Sequence, residues 1–127
     1  MQDLVVAATA TTPAVRFATS GALELRGESY PENAFAFFEP LVAWLRRFLD
    51  ETDLPVSFDV EVAYMNTSSI RAMVDMLDLL EQAHQGGRDV RVCWLHDVDN
   101  ERALDVGEEF REDLTVPFEI TTFSVQE

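Results

Sequence analysis

Large apolar residues occupy every second position from 56 to 64, and this alternation constrains the chain more than any other feature. A period of two indicates a β-strand with one buried face. An apolar stripe with helical spacing begins a few positions later, at Ile70. A strand followed at once by an amphipathic helix indicates a sheet covered by helices. The predicted inward residues of the strand are Val56, Phe58, Val60, Val62 and Tyr64.

Further strands alternate with helices along the rest of the chain. Residues 15–18 and 22–26 flank a turn at Thr19-Ser20-Gly21 and predict a hairpin whose second arm ends at Gly27. Strands separated by helices pair in parallel, whereas a hairpin is antiparallel. We therefore predict a single α/β domain over residues 1–127, with a mixed β-sheet and about three helices packed against it. The remaining predicted strands are residues 4–8, 90–94 and 116–125.

Apolar spacings of three and four predict the helices. The first follows Ser29-Tyr30-Pro31-Glu32-Asn33, where Pro31 suits a first helical turn and both Asn33 and Ser29 are candidate caps. The second covers residues 68–85 and the third residues 101–113. The expected core-facing residues are Phe35, Phe38, Leu41, Val42, Leu45, Phe48 and Leu49 in the first helix and Ile70, Met73, Val74, Leu77 and Leu80 in the second.

The chain is strongly acidic. Its 127 residues include 24 acidic side chains against nine basic ones, all arginine, and the formal net charge is −15. Such a surface repels nucleic acid and anionic lipid, so we expect neither nucleic acid nor membrane as a partner. Two explanations of the acidity remain open, a salt-rich habitat and steering toward a basic partner.

Cysteine use and hydropathy indicate a cytoplasmic protein. Cys93 is the only cysteine, so a disulfide framework is excluded. Residues 1–15 lack the basic start of a signal peptide. No apolar run approaches the roughly 20 residues that a membrane span requires.

The junction between the central strand and the second helix is rich in hydroxyl groups, with the sequence Asn66-Thr67-Ser68-Ser69. One capping residue is common at a helix start, and three further hydroxyls exceed that need. A phosphate placed here would meet free backbone N–H groups and the positive end of the helix dipole. Arg71 lies one turn later, within reach of such a phosphate. The residues alone leave both a helix cap and a phosphorylation switch open.

Catalytic and transition-metal patterns are weak. His84 and His96 have no second His or Cys at the spacing of zinc ligands. Thr67 and Ser68 lie where a nucleophile elbow would place its serine, but there is no G-x-S-x-G pattern and no glycine-rich phosphate loop. We expect no enzymatic activity, no cofactor and no metal.

An acidic stretch near residue 100 offers a minor alternative, a weak cation-binding module. Asp97, Asp99, Glu101 and Glu108 match several oxygen-ligand positions of a calcium loop. Arg102 stands where such a loop needs glycine, and the segment after Asp99 has a helical pattern. A capped helix start explains the stretch better.

Four ordered blocks of this sequence closely resemble the SiaC-type regulatory phosphoproteins of bacteria. The resemblance extends over about residues 11–118, most of the chain, and the first and third blocks are specific in combination. The blocks are Gly27-Glu28-Ser29-Tyr30-Pro31-Glu32-Asn33, then Phe37-Phe38-Glu39-Pro40-Leu41 with Trp44-Leu45, then Asn66-Thr67-Ser68-Ser69, then Gly107-Glu108-Glu109-Phe110.

The resemblance implies a STAS-like fold and a switch without catalysis. The threonine that is phosphorylated in the family falls on Thr67, with Ser68 and Ser69 as alternative acceptors. From the pairing of family motifs we expect segment 30–33 to pack near this turn. The residues expected to contact a partner are Tyr30, Pro31, Glu32, Asn33, Asn66, Ser68, Ser69 and Arg71.

The resemblance also implies the partners. A serine/threonine kinase of the anti-sigma type would phosphorylate Thr67, and a PP2C-type phosphatase would remove the phosphate. The unphosphorylated form would bind and activate a diguanylate cyclase, a GGDEF protein, and so raise cyclic di-GMP and promote biofilm. An antagonist of an anti-sigma factor is the alternative function.

Overall fold

A computed structural model describes residues 1–123 and contains one six-stranded sheet with three helices. The predicted mixed α/β architecture is confirmed. The helices are α1 (Ala34–Glu51), α2 (Thr67–Gln85) and α3 (Glu101–Glu112). The strands are β1 (Leu4–Val6), β2 (Ala14–Phe17), β3 (Ala22–Ser29), β4 (Val56–Met65), β5 (Val90–Asp97) and β6 (Phe118–Phe123). The predicted last strand reached Val125, which lies outside the described residues.

The strands lie side by side in chain order. The β1–β2 and β2–β3 pairs are antiparallel, and the β3–β4, β4–β5 and β5–β6 pairs are parallel. Each parallel pair is joined by a helix, and such crossovers are almost always right-handed. Because every crossover advances in the same direction, the three helices share one face of the sheet. The starts of all three helices therefore lie along one edge, where β3, β4 and β5 end.

The core lies between this helical layer and the inner face of the sheet. Phe58, Val60, Val92 and Trp94 are buried there with Phe38, Leu41 and Leu45 of α1 and Met73, Leu77 and Leu80 of α2. The intervening strand residues face the uncovered side. Arg16, Ser57 and Arg91 are exposed there, and Glu24 is half-buried. Buried and less buried residues therefore alternate along β4 from Val56 to Val62, as predicted for the central strand.

Three expectations at the helix starts and faces are wrong. Pro31 lies outside the helix, because α1 begins at Ala34 and its cap is Asn33, whose Oδ1 accepts the N–H of Ala36. Phe35 is 76% exposed, and Val74 is also exposed, with Met76 in the core instead. Both misplaced residues lie at the margin of an apolar stripe, where spacing alone does not separate an inward from an outward position.

A bulge between β3 and β4 overturns two further expectations. The second hairpin arm does not end at Gly27 but continues to Ser29, and Gly27 adopts a φ of +130° beside Pro13. Gly27 is paired with Val62, whereas Glu28 is paired with Tyr64, so Ala63 has no partner on β3. An extra residue reverses the alternation beyond it. Tyr64 is consequently exposed and Met65 buried, the opposite of the prediction.

Helix α3 approaches the sheet closely at Gly107. Trp94 lies beneath it and donates its Nε1–H to the carbonyl of Ala103 at 2.9 Å. A Cβ at position 107 would lie 2.6 Å from the indole ring, which is buried and rigidly held.

We expect Gly107→Ala to lower the free energy of unfolding by about 1–3 kcal/mol, because the overlap with Trp94 exceeds the gain in helix propensity. Urea denaturation followed by tryptophan fluorescence measures it. Gly86→Ala is the matched control, since a Cβ there meets neighbours only at 3.5 Å. Equal stability of the Gly107→Ala protein would contradict the packing argument.

Glu81 connects α2 to the segment that enters β6. Its side chain is 9% exposed, and its carboxylate accepts the N–H groups of Thr115 and Val116 at 2.8 and 2.9 Å, the Thr115 hydroxyl and the Gln85 amide. These hydrogen bonds, led by that of the Thr115 hydroxyl, outweigh burial and lower the pKa of Glu81 from 4.5 to about 2. The charged form therefore stabilises the fold.

Because the folded pKa is depressed, this stabilisation is present above pH 4.5 and is lost as the pH falls toward 2. We expect Glu81→Gln to lower the free energy of unfolding by about 2 kcal/mol at neutral pH and by progressively less in acid. Denaturant titrations across this range measure the difference. Asp78→Asn, an exposed change on the same helix, controls for loss of charge alone. A pH-independent difference would show that the ionised carboxylate is not the stabilising form.

Candidate functional site

The candidate site lies at the edge of the sheet where β3, β4 and β5 end and the helices begin. We call this region the carboxyl edge and define it as residues 28–35, 63–70 and 97–101. An asparagine caps each helix there, because the Oδ1 atoms of Asn33, Asn66 and Asn100 accept an N–H three residues later at 2.9–3.0 Å. The amide of Asn100 also donates to the carbonyl of Ala63, the bulged residue, at 2.9 Å. The edge is thus fixed by side-chain amides that link neighbouring segments.

Segment 30–33 contacts the start of α2, as expected, and Ser29 joins the same contact. The N–H of Asn66 donates to the carbonyl of Ser29 at 2.9 Å, and the Asn66 amide reaches the carbonyl of Pro31 at 3.5 Å. The rings of Tyr30 and Tyr64 meet edge to face with centroids 5.8 Å apart. The two motifs, separated by more than 30 residues in sequence, therefore form one continuous surface.

The three hydroxyls of the start of α2 have different environments. Ser69 is fully buried, and its Oγ accepts a hydrogen bond from the Ser29 hydroxyl at 2.8 Å. Thr67 and Ser68 are exposed at the first two positions of the helix. The first N–H groups of a helix have no partner within it. Asn66 accepts the N–H of Ser69. The N–H groups of Thr67 and Ser68, at the first two positions, have no acceptor within the helix.

The remaining expected site residues are exposed on the segment before α1 and on α2. Glu32 and Asn33 are exposed between Pro31 and α1, and Arg71 is exposed one turn beyond Thr67. Sequence reasoning missed the exposure of Tyr64 and Phe35, since periodicity placed both in the core. It also missed the link from Asn100 to Ala63. One sign of the bulge is present in the sequence. The predicted outward positions are polar up to Glu61, and the next two, Ala63 and Met65, are not.

Within residues 1–123, no three His, Cys, Asp or Glu side chains converge as metal ligands would. The carboxylate of Asp97 instead accepts the N–H of Asp99 at 2.8 Å in the turn before α3. None of the helices in this range has both the length and the apolar composition needed to cross a bilayer.

The fold and the site together define a small mixed α/β domain in which the exposed start of one helix carries two accessible hydroxyls. The sequence profile described as the SiaC family regulatory phosphoprotein matches residues 6–123, and the chain belongs to this family. An uncharacterized protein of Pseudomonas aeruginosa strain UCBPP-PA14 is 47% identical over 121 residues, covering 94% of this chain and 96% of that protein.

Solved structures of relatives show the same fold. The crystal structure of apo-SiaC from Pseudomonas aeruginosa is 44% identical and superposes with a TM-score of 0.89, covering 95% of this chain and 99% of that one. SiaC in complex with the diguanylate cyclase SiaD, of which it is the activator, is 46% identical with a TM-score of 0.92, covering 95% of this chain and 100% of that one.

The buried pair of Ser29 and Ser69 should behave as one energetic unit. We expect Ser29→Ala and Ser69→Ala each to lower the free energy of unfolding by about 1–2 kcal/mol, because each leaves a buried hydroxyl unpaired. The double variant removes both hydroxyls and should cost less than the sum. A double-mutant cycle in urea measures the coupling. Additive effects would exclude an interaction between the two hydroxyls.

Proposed function

We propose that this chain is a phosphorylation-controlled activator of a diguanylate cyclase, with Thr67 as the phosphoacceptor. The unphosphorylated form binds the cyclase and raises cyclic di-GMP, which promotes biofilm and aggregation. A serine/threonine kinase of the anti-sigma type adds the phosphate, and a PP2C-type phosphatase restores the active form. The chain acts in the cytoplasm, without a cofactor and without catalysis of its own.

The observation that carries the proposal is the exposed hydroxyl of Thr67 at the first position of α2. A phosphate there adds about −1.5 to −2 charges and three acceptor oxygens. The N–H groups of Thr67 and Ser68 and the helix dipole favour an anion at this end by about 0.3–1 kcal/mol or more. Burial of Ser69 makes it a poor acceptor, because a kinase would have to open the start of α2 to reach it.

The identity of the partner is supported by the relative that has been seen with the cyclase SiaD. The similarity to that relative covers 95% of this chain. Segment 29–33 and residues 66–69 form one surface, so a phosphate on Thr67 lies beside the other expected partner contacts. Modification can therefore alter binding locally while the domain remains folded.

We expect ATP and the cognate kinase to label Thr67, and mass spectrometry of the digested chain locates the phosphate. Thr67→Ala should abolish the label, while Ser68→Ala, the matched neighbour, should retain it. Phosphate found on Ser68, or found nowhere, would overturn the assignment of the acceptor.

The functional consequence is measured with a purified diguanylate cyclase and GTP. The unmodified chain and Thr67→Ala should stimulate cyclic di-GMP formation, whereas the phosphorylated chain should not. Phosphorylation should change the free energy of unfolding by less than about 1 kcal/mol, because the helix start accommodates the anion. Equal stimulation by both forms would contradict the switch. Capture of an anti-sigma kinase without any effect on a cyclase would favour the anti-sigma antagonist.

A further inference from the structure

The outer strand β6 presents one side of its backbone without a strand partner. It is the last strand of the sheet, and within residues 1–123 it pairs only with β5. The carbonyls of Pro117 and Phe123 accept N–H groups from β5 and from the residue that follows β5. Alternate residues of a parallel ladder face the partner strand, so the odd-numbered residues of β6 are directed to β5. The even-numbered residues, whose N–H and C=O groups point away from the sheet, are Phe118, Ile120 and Thr122.

The two outer strands of the sheet differ in their protection against a further strand. β1 has only three residues, and short edge strands, charges, prolines and bulges all discourage pairing. β6 has six residues, and all of them except Glu119 are aromatic or β-branched. Its register with β5 is continuous from Phe118 to Phe123, without a bulge. β6 is therefore a long and regular edge to which another strand can add.

A strand added to β6 would also cover apolar surface that is incompletely buried. Phe118 and Ile120 face the helical layer and pack against the core, but both are only half-buried. Val106 of α3 and Leu114, just beyond the end of α3, are half-buried as well. Apolar side chains on the same face of a neighbouring strand would shield Phe118 and Ile120 from water.

The surroundings of this edge are acidic. The stretch from Glu101 to Glu119 contains seven acidic residues and two arginines, which gives a net charge of −5. The acidic residues of α3, the helix that contacts β6, are all exposed. Glu119 is exposed on the opposite, uncovered face of the sheet. Negative charge on both sides of the edge favours a positively charged strand.

We propose that β6 accepts an extended basic segment of a partner protein as a seventh strand. The apolar residues of the segment lie on the helical face beside Phe118 and Ile120. Its alternate Lys or Arg residues lie on the uncovered face beside Glu119. This site is independent of the proposed function, because β5 separates it from β4 and the start of α2.

Charge also argues against a second copy of this chain as the added strand. Antiparallel pairing of two β6 strands about Ile120 would place the two Glu119 side chains on one face, as diagonal neighbours across the new ladder. Like charges in such positions repel, and each copy carries a net charge of −15. A segment with Lys or Arg turns both repulsions into attractions.

The first test titrates the full, isotope-labelled chain with a short synthetic peptide in which Lys alternates with Val and both ends are blocked. Hydrogen exchange of the Phe118, Ile120 and Thr122 amides should slow by about tenfold or more, because they become hydrogen-bonded to the peptide. The amides of Glu119 and Thr121, directed to β5, should change much less. Exchange that slows only elsewhere would overturn the proposal, as would strong protection of the three outward amides in the free chain.

The peptide also has a control of equal charge, in which proline replaces the central valine. Proline cannot donate to a ladder, so this peptide should bind about tenfold more weakly or worse. Equal affinity of the two peptides would show attraction to an acidic surface without strand pairing, and would overturn the proposal.

The corresponding change in the protein is Thr122→Pro, which removes one outward N–H and should weaken binding of the Lys-Val peptide about tenfold or more. Thr122→Ala is the matched control, because Thr122 is exposed and this substitution keeps the N–H. It should change the affinity less than about twofold. Thermal unfolding checks that both variants are folded. Equal affinity of the two folded variants would show that the peptide does not pair with β6.

Glu119→Arg tests the basic side of the segment. It should weaken binding of the Lys-Val peptide at about 50 mM salt and much less at about 300 mM, where exposed charges are screened. Asp78→Arg is the control, an equal charge reversal at an exposed position of α2. Equal losses in the two variants would contradict a specific pairing with Glu119. A dimer of the wild-type chain in sedimentation, dissociated by Thr122→Pro, would replace the basic segment by a second copy.

Discussion

The parallel pairing of β3 with β4 is the constraint on which the rest of the structure depends. Two parallel neighbours end at the same edge, so the segments that follow them must leave the sheet side by side. This brings Ser29 next to Asn66 and Ser69 across a long separation in sequence. Without that pairing, the start of α2 would be an ordinary capped helix, with no second motif beside it.

The helix caps convert this proximity into a defined surface. The side-chain oxygen of each asparagine accepts a hydrogen bond from its own helix. The amide nitrogens of Asn66 and Asn100 also donate to a carbonyl of a neighbouring segment. Asp would keep the acceptor but lose the donor, and Ser would be too short for both. The residue type therefore reflects two simultaneous hydrogen bonds, which explains why the carboxyl edge is rigid enough to present an exposed hydroxyl and paired aromatic rings.

Local patterns predicted the elements well because burial sets them. The β4 alternation and the α2 stripe both follow from one-sided contact with a core, which leaves a periodic pattern of apolar residues in the sequence. The failures occur where the period breaks. Tyr64 was expected inside because nothing in the composition of one strand reveals an extra unpaired residue, which exists only relative to the partner strand.

The sequence by itself determined the elements, their order, the hydroxyl-rich helix start and, through four ordered motifs, the family. Only the tertiary structure decided which hydroxyls are accessible and which aromatic residues are exposed. The physical reason is that burial depends on the partner surface. Ser69 is buried because Ser29, at the end of β3, packs against it. Tyr64 is exposed because Ala63 has no pairing partner on β3. Chain spacing encodes neither contact.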